Sequence, residues 1–222
     1  MGRCIRLVLS LTYKSYWRKS GLKGKWGEIY LSRLAKYHPK HVLEVGVFCG
    51  VTAKNTCDYL RKIHGDDFSY TGIDLFGSNK KSSSNEIEPE FLKSQKFSNP
   101  LKNIYYNYIV KENLNSLKSV EKLLKKYKNN VNLIAGDTNI LLNQTNLEDV
   151  EFIFLDGGHS YKTVMNDLNM LWSSKGKSKV LLCDDYGKMS YIPEVEKAIN
   201  NFVRKNNLNL NIIENRFAEI II

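Results

Sequence analysis

The residues best placed to do chemistry follow two apolar runs. One run ends in Asp156-Gly157-Gly158-His159-Ser160-Tyr161, the other in Cys183-Asp184-Asp185-Tyr186. If these runs are neighbouring parallel strands, Asp156, Asp184 and Asp185 converge at one sheet edge. Converging carboxylates repel one another until a cation neutralises them. An all-oxygen set suits a hard ion such as Mg2+, with water or acceptor oxygens completing the shell. His159 stands just past Asp156 and just before a helix, where a base can take a hydroxyl proton near neutral pH. An isolated aspartate more often caps a helix, and a lone histidine is more often structural. It is the arrangement that points to chemistry.

A second group lies around glycines. Leu43-Glu44-Val45-Gly46-Val47-Phe48-Cys49-Gly50-Val51-Thr52-Ala53 leaves a strand and enters a helix. Gly46 allows a tight turn and Gly50 a close backbone approach. Free N–H groups at the helix start favour a negative or polar ligand group. Phe48 stands where a dinucleotide fingerprint has its middle glycine, which argues against NAD. Asp74 ends the next apolar run after Gly46, where a carboxylate can accept both hydroxyls of a ribose. The plainer alternative is a cap or turn residue. Gly136-Asp137-Thr138 forms a third strand-end site on the same edge.

These sites need a scaffold, and the pattern supplies one. Apolar runs at 41–45, 68–73, 131–135, 150–155 and 180–183 alternate with amphipathic segments at 52–62, 116–128, 161–172 and 192–205. Short continuous apolar runs suit strands covered on both faces. Their alternation with helices gives right-handed crossovers and a doubly wound α/β sheet. Residues 208–214 and 216–222 are strand-like and nearly contiguous, which predicts a terminal antiparallel hairpin. The gap from 75 to 130 is too long for one crossover and holds a Ser-rich stretch (77–85) and the cluster Tyr105, Tyr106, Tyr108. Such an insertion reads as a lid or acceptor-side element.

Composition bounds the function classes. The chain has 222 residues, 42% hydrophobic and 25% charged, ordinary for one globular domain. No apolar run reaches the roughly 20 residues of a membrane-spanning helix. The formal charge of +10 is regional: residues 1–40 hold ten basic side chains against Glu28 alone, residues 91–130 are also basic, and the rest is mildly acidic. The four cysteines show neither a C-x-x-C pair nor zinc spacing, which fits a reduced, cytoplasmic protein. The patch Ile5–Leu11 lacks a following cleavage site, and Arg6 breaks the myristoylation pattern.

Taken in order, Glu44-Val45-Gly46-Val47-Phe48-Cys49-Gly50, Gly72-Ile73-Asp74, Gly136-Asp137 and Phe154-Leu155-Asp156-Gly157-Gly158-His159-Ser160-Tyr161 resemble the class I S-adenosylmethionine-dependent methyltransferases. With the later Asp184-Asp185 they look closest to small metal-dependent O-methyltransferases, those acting on macrolide sugars and catechols. The resemblance covers about residues 40–222 and implies a seven-stranded mixed sheet. It implies that Glu44, Gly46, Val47, Phe48 and Gly50 surround the methionine part of S-adenosylmethionine, with Asp74 at the ribose and Asp137 and Thr138 near the adenine. Asp156, counted with the cofactor-binding residues, would also be a metal ligand with Asp184 and Asp185. His159 would be the proton acceptor. Catechol-type enzymes usually have Asn where Asp185 stands.

The expected organisation is a basic helical segment over 1–40 and a methyltransferase domain over 41–222 with an insertion at about 75–130. The expected activity is O-methylation of a small, sugar-like hydroxyl acceptor with Mg2+ or another divalent cation. Three alternatives compete. The basic segments allow a nucleic-acid acceptor, but the Asn/Asp-Pro-Pro-Tyr/Phe motif of amino-directed nucleic-acid enzymes is missing. A nicotinamide-dependent oxidoreductase is opposed by Phe48 and the carboxylates. A non-catalytic module would dock a partner or anionic membrane through residues 5–31, which read more simply as helices covering the sheet or acceptor site. Oligomeric state does not follow from the sequence.

Overall fold

The computed structural model describes residues 12–77, 95–174, 176, 178–187 and 192–222. Expectations placed on Cys4, Ile5–Leu11 and residues 78–85 lie outside them. The five apolar runs form parallel strands β1 (His41–Val45), β2 (Ser69–Asp74), β3 (Val131–Ala135), β4 (Phe152–Leu155) and β5 (Val180–Cys183). The C-terminal hairpin is β6 (Leu210–Ile213) and β7 (Phe217–Ile221). The sheet order is β3-β2-β1-β4-β5-β7-β6, with β7 antiparallel to both neighbours and Cys183 paired to Ala218. This is the seven-stranded mixed sheet expected.

The helices are α1 (Lys25–Tyr37), α2 (Val51–His64), α3 (Pro100–Ile104, continued by a π-helical turn at Tyr105–Ile109), α4 (Leu117–Leu124), α5 (Thr138–Leu141), α6 (Tyr161–Ser173) and α7 (Pro193–Asn206). No described helix is long and apolar enough to cross a membrane. Ser160 starts α6 by accepting a hydrogen bond from the Thr163 amide at 3.2 Å, and Pro193 opens α7. Both are residue types that helix starts favour. The helix expected over 116–128 stops as an α-helix at Leu124. A tighter turn over Lys125–Tyr127 then turns Tyr127 into the core, its ring 6.1 Å from Phe68. Such 3-10 turns commonly finish an α-helix.

Each face of the sheet carries its own core. Strand alternation sends Phe152 and Phe154 to one side and Ile153 and Leu155 to the other. On the first side Tyr30 and Leu34 of α1, Leu60 of α2 and Val120 of α4 close over Tyr70, Phe152 and Phe154. On the second, Leu168 of α6 and Phe202 of α7 close over Leu43, Ile153 and Leu181. Each fully buried large side chain contributes roughly 1.5–3 kcal/mol. Helix α1 therefore covers the sheet in the same core as α2 and α4. The chain order reverses between β1 and β4, so the crevice of an open α/β sheet falls at their carboxyl ends.

Candidate active site

Three neighbouring strands deliver their last residues to one edge through continued ladder bonds: Gly46 N to Ile73 O at 2.9 Å, Asp156 N to Val45 O at 2.8 Å and Asp184 N to Leu155 O at 3.0 Å. Gly46 has φ 91°, and a Cβ there would overlap the Asp156 carbonyl. Gly50 has φ 75°, and its Cβ would meet Val120 Cγ1 at 2.9 Å. Close protein packing thus requires both glycines. Phe48 adopts the left-handed region at φ 52° and turns its amide toward β2. That conformation is unusual for a bulky residue.

The Phe48 amide donates to Asp74 Oδ2 at 2.8 Å, and the Phe76 amide donates to Oδ1 at 2.6 Å. Asp74 is thus a turn organiser here. Backbone amides of the glycine loop and of the turn after β2 take up much of its acceptor capacity. Burial pushes its carboxyl above the ordinary range, against the pull of these amides. Asp137 caps α5, accepting from the Asn139 amide at 2.9 Å, and Thr138 is the first residue of that helix.

Glu44 is 1% exposed and sits beneath the loop, its Oε2 accepting the Tyr70 hydroxyl at 2.7 Å. Burial raises its pKa to about 8, because the charged form loses its hydration. Above it lies the N-terminal segment. The Tyr13 hydroxyl bonds Thr52 Oγ1 at 2.8 Å, and Lys14 exchanges two hydrogen bonds with Asn55 of α2. Arg18 donates to the carbonyls of Cys49 (3.2 Å), Leu114 (3.4 Å) and Ser119 (3.0 Å), tying the glycine loop to the insertion. Trp17 packs 5.1 Å from Tyr105 and 5.5 Å from Tyr106.

Asp156, His159 and Asp185 each offer a ligand atom, all within 4.8 Å of one another. They border a small open recess whose walls also include Leu155, Gly157, Gly158 and Val195. His159 Nε2 lies 3.2 Å from Asp185 Oδ2. Burial, then the charges of Asp184 and Asp185, pushes the Asp156 carboxyl well above its usual range, as desolvation and like charge both must. Burial would raise Asp185 too, but the His159 hydrogen bond and charge, with Arg216, hold it below. The crowded carboxylates of Asp156 and Asp185 are hard oxygen donors that fit a divalent cation, and the His159 imidazole stands beside them.

Asp184 stands apart from that set. Arg216 Nε and Nη2 donate to its two oxygens at 2.6 and 2.7 Å. This is a closed bidentate ion pair. Of the three aspartates expected here, Asp156 and Asp185 lie together with His159, while Asp184 is paired to Arg216. Sequence reasoning missed Arg216 and Arg18. The signal for Arg216 lay in the reversed strand: extending the Cys183–Ala218 register sets Asp184 and Asp185 opposite Phe217 and Arg216.

Comparison with known proteins agrees with the fold. The methyltransferase domain family matches residues 43–186, more than half of the chain. The O-methyltransferase NovP superposes with a TM-score of 0.59 at 17% identity, over 86% of this chain and 75% of NovP. A putative caffeoyl-CoA O-methyltransferase from Staphylococcus aureus gives 0.55 at 14% identity, over 90% and 84%. A curated relative, the uncharacterized protein R132 of Acanthamoeba polyphaga mimivirus, is 33% identical over 54 residues, and the match spans 24% of each chain. With the family match running from β1 through the acidic edge, and the sheet order of class I S-adenosylmethionine-dependent methyltransferases around it, the chain belongs to the methyltransferase family.

Proposed function

We propose that this chain transfers a methyl group from S-adenosylmethionine to a hydroxyl of a small polar acceptor, sugar-like in carrying neighbouring oxygens, with a divalent cation at the acidic edge. The observation that carries this reading is the meeting of Asp156, His159 and Asp185 at the ends of β4 and β5, one strand from the glycine loop. Gly46, Val47, Phe48 and Gly50, with Glu44 beneath them, take the methionine part of the methyl donor. Asp74 accepts the ribose hydroxyls, and Asp137 with Thr138 borders the adenine. Asp156 lies where the donor and acceptor halves of the crevice meet.

A divalent cation such as Mg2+, when bound, supplies positive charge that lowers the pKa of the acceptor hydroxyl. His159 takes the proton, its ring oriented by Asp185. The loop and the acidic edge then hold acceptor oxygen and methyl carbon in line, and most of the rate comes from that positioning. The oxygen–carbon bond forms as the carbon–sulfur bond breaks, leaving S-adenosylhomocysteine. Titration calorimetry with S-adenosylmethionine tests the first half, and absence of binding sinks it. A screen of sugar and phenolic acceptors with labelled methyl donor tests the second. Activity unchanged in EDTA and in Asp156→Ala removes the cation from the scheme.

A further inference from the structure

Asp184 and Asp185 are consecutive, yet their surroundings are opposite. The Asp184 side chain is 2% exposed and accepts three fixed donors: Arg216 Nε at 2.6 Å, Arg216 Nη2 at 2.7 Å and the Asp185 amide at 2.8 Å. A carboxylate has about four acceptor positions, so little of Asp184 remains to offer. Asp185 adopts φ 58°, and the left-handed turn directs its side chain to His159; that side chain is 31% exposed.

Arg216 is itself held on every side. Its carbonyl accepts the Tyr186 amide at 2.7 Å, and its own amide donates to Ile213 O at 3.1 Å. The guanidinium lies 5.2 Å from the Trp26 ring of α1 and 5.5 Å from the Phe217 ring. A planar fork that is bidentate on one side and stacked on another is pre-organised, and a lysine would not reproduce it. The charges also close: three carboxylates are neutralised by one guanidinium and one divalent cation.

We infer that Arg216 is a positioning residue of this site: it locks Asp184 into an ion pair, removes it from the cation ligands, and leaves Asp156 and Asp185 as the carboxylates that face a divalent cation. This rests on the methyl-transfer reading above. The hairpin formed by β6 and β7 thereby decides which acids of the edge are available.

The test is Mn2+ titration of the full chain, followed by electron paramagnetic resonance of the free ion, with no acceptor present. Arg216→Met releases Asp184 as a third carboxylate, and Mn2+ binding is expected to tighten about tenfold, since affinity follows ligand charge count. The double variant Asp184→Asn/Arg216→Met removes both charges at once, a change that buried pairs often tolerate, and its affinity should return to within roughly threefold of wild type. Unchanged or weaker binding in Arg216→Met overturns the inference, as does a tenfold loss in the double variant or absence of Mn2+ binding by the wild type. Should Arg216→Met fail to fold, the double variant decides alone. A parallel S-adenosylmethionine titration keeps the two readings apart: its failure sinks methyl transfer, whereas the Mn2+ result still judges Arg216.

Discussion

On the β1–β2 side of the crevice, Asp74 accepts main-chain amides from Phe48 and Phe76, and Arg18 donates to main-chain carbonyls. On the β4–β5 side, Asp184 and Asp185 accept mainly from side chains, Arg216 and His159, with one main-chain amide, that of Asp185, on Asp184. The first side uses charged groups to fix backbone, so its residues shape a cradle. The second sets charge against charge with an open recess beside it, the arrangement that responds when a cation or proton arrives. Substitutions on the cradle side should therefore disturb folding, and those around His159 should disturb turnover.

The sharpest break is Gly46→Ala. Its Cβ would overlap the Asp156 carbonyl at a φ that side chains rarely adopt. A loss above about 4 kcal/mol is expected in denaturant unfolding, the range reached only by severe steric conflict. A loss under about 1 kcal/mol, an ordinary substitution effect, would show that the two strand ends are not pressed together. Next, His159→Ala should lower kcat by about 10²- to 10⁴-fold while S-adenosylmethionine affinity holds. Equal losses in both would move His159 to the cradle.

Glu44→Gln probes the layer beneath. The folded protein holds this carboxyl protonated up to about pH 8, whereas an unfolded chain ionises it near the ordinary glutamate value. The unfolded state thus binds fewer protons, and wild-type stability should fall as pH rises through that window, by up to a few kcal/mol. Chemical denaturation of Glu44→Gln across the same window should show a flatter profile, and parallel curves would place Glu44 in a solvated setting. The smallest effect is Ser160→Ala, which removes the cap of α6 and should cost about 1 kcal/mol. A much larger loss of activity than of stability there would tie the start of α6 to the chemistry.

The parallel strands were readable because burial on both faces leaves continuous apolar runs, as at Phe152–Leu155 and Val180–Cys183. The turn glycines and the terminal hairpin were readable because tight turns restrict residue type. What stayed hidden depends on partners far along the chain. Asp184 meets Arg216 from 32 positions away, and Arg18 meets Ser119 from 101, so neither leaves a local pattern. Short α3 and α5 were also missed, being a turn or two long with weak periodicity.

The placement of Trp17 has a practical consequence. Its indole touches Tyr105 and Tyr106, and Tyr106 packs with Cys49 of the glycine loop. The other tryptophans stand elsewhere, Trp26 beside Arg216 and Trp172 against Phe202. The chain's three indoles thus form separate optical stations at the cradle, the hairpin and the α6–α7 face. Variants keeping one indole at a time would let emission intensity follow each region during ligand titration, without an added dye.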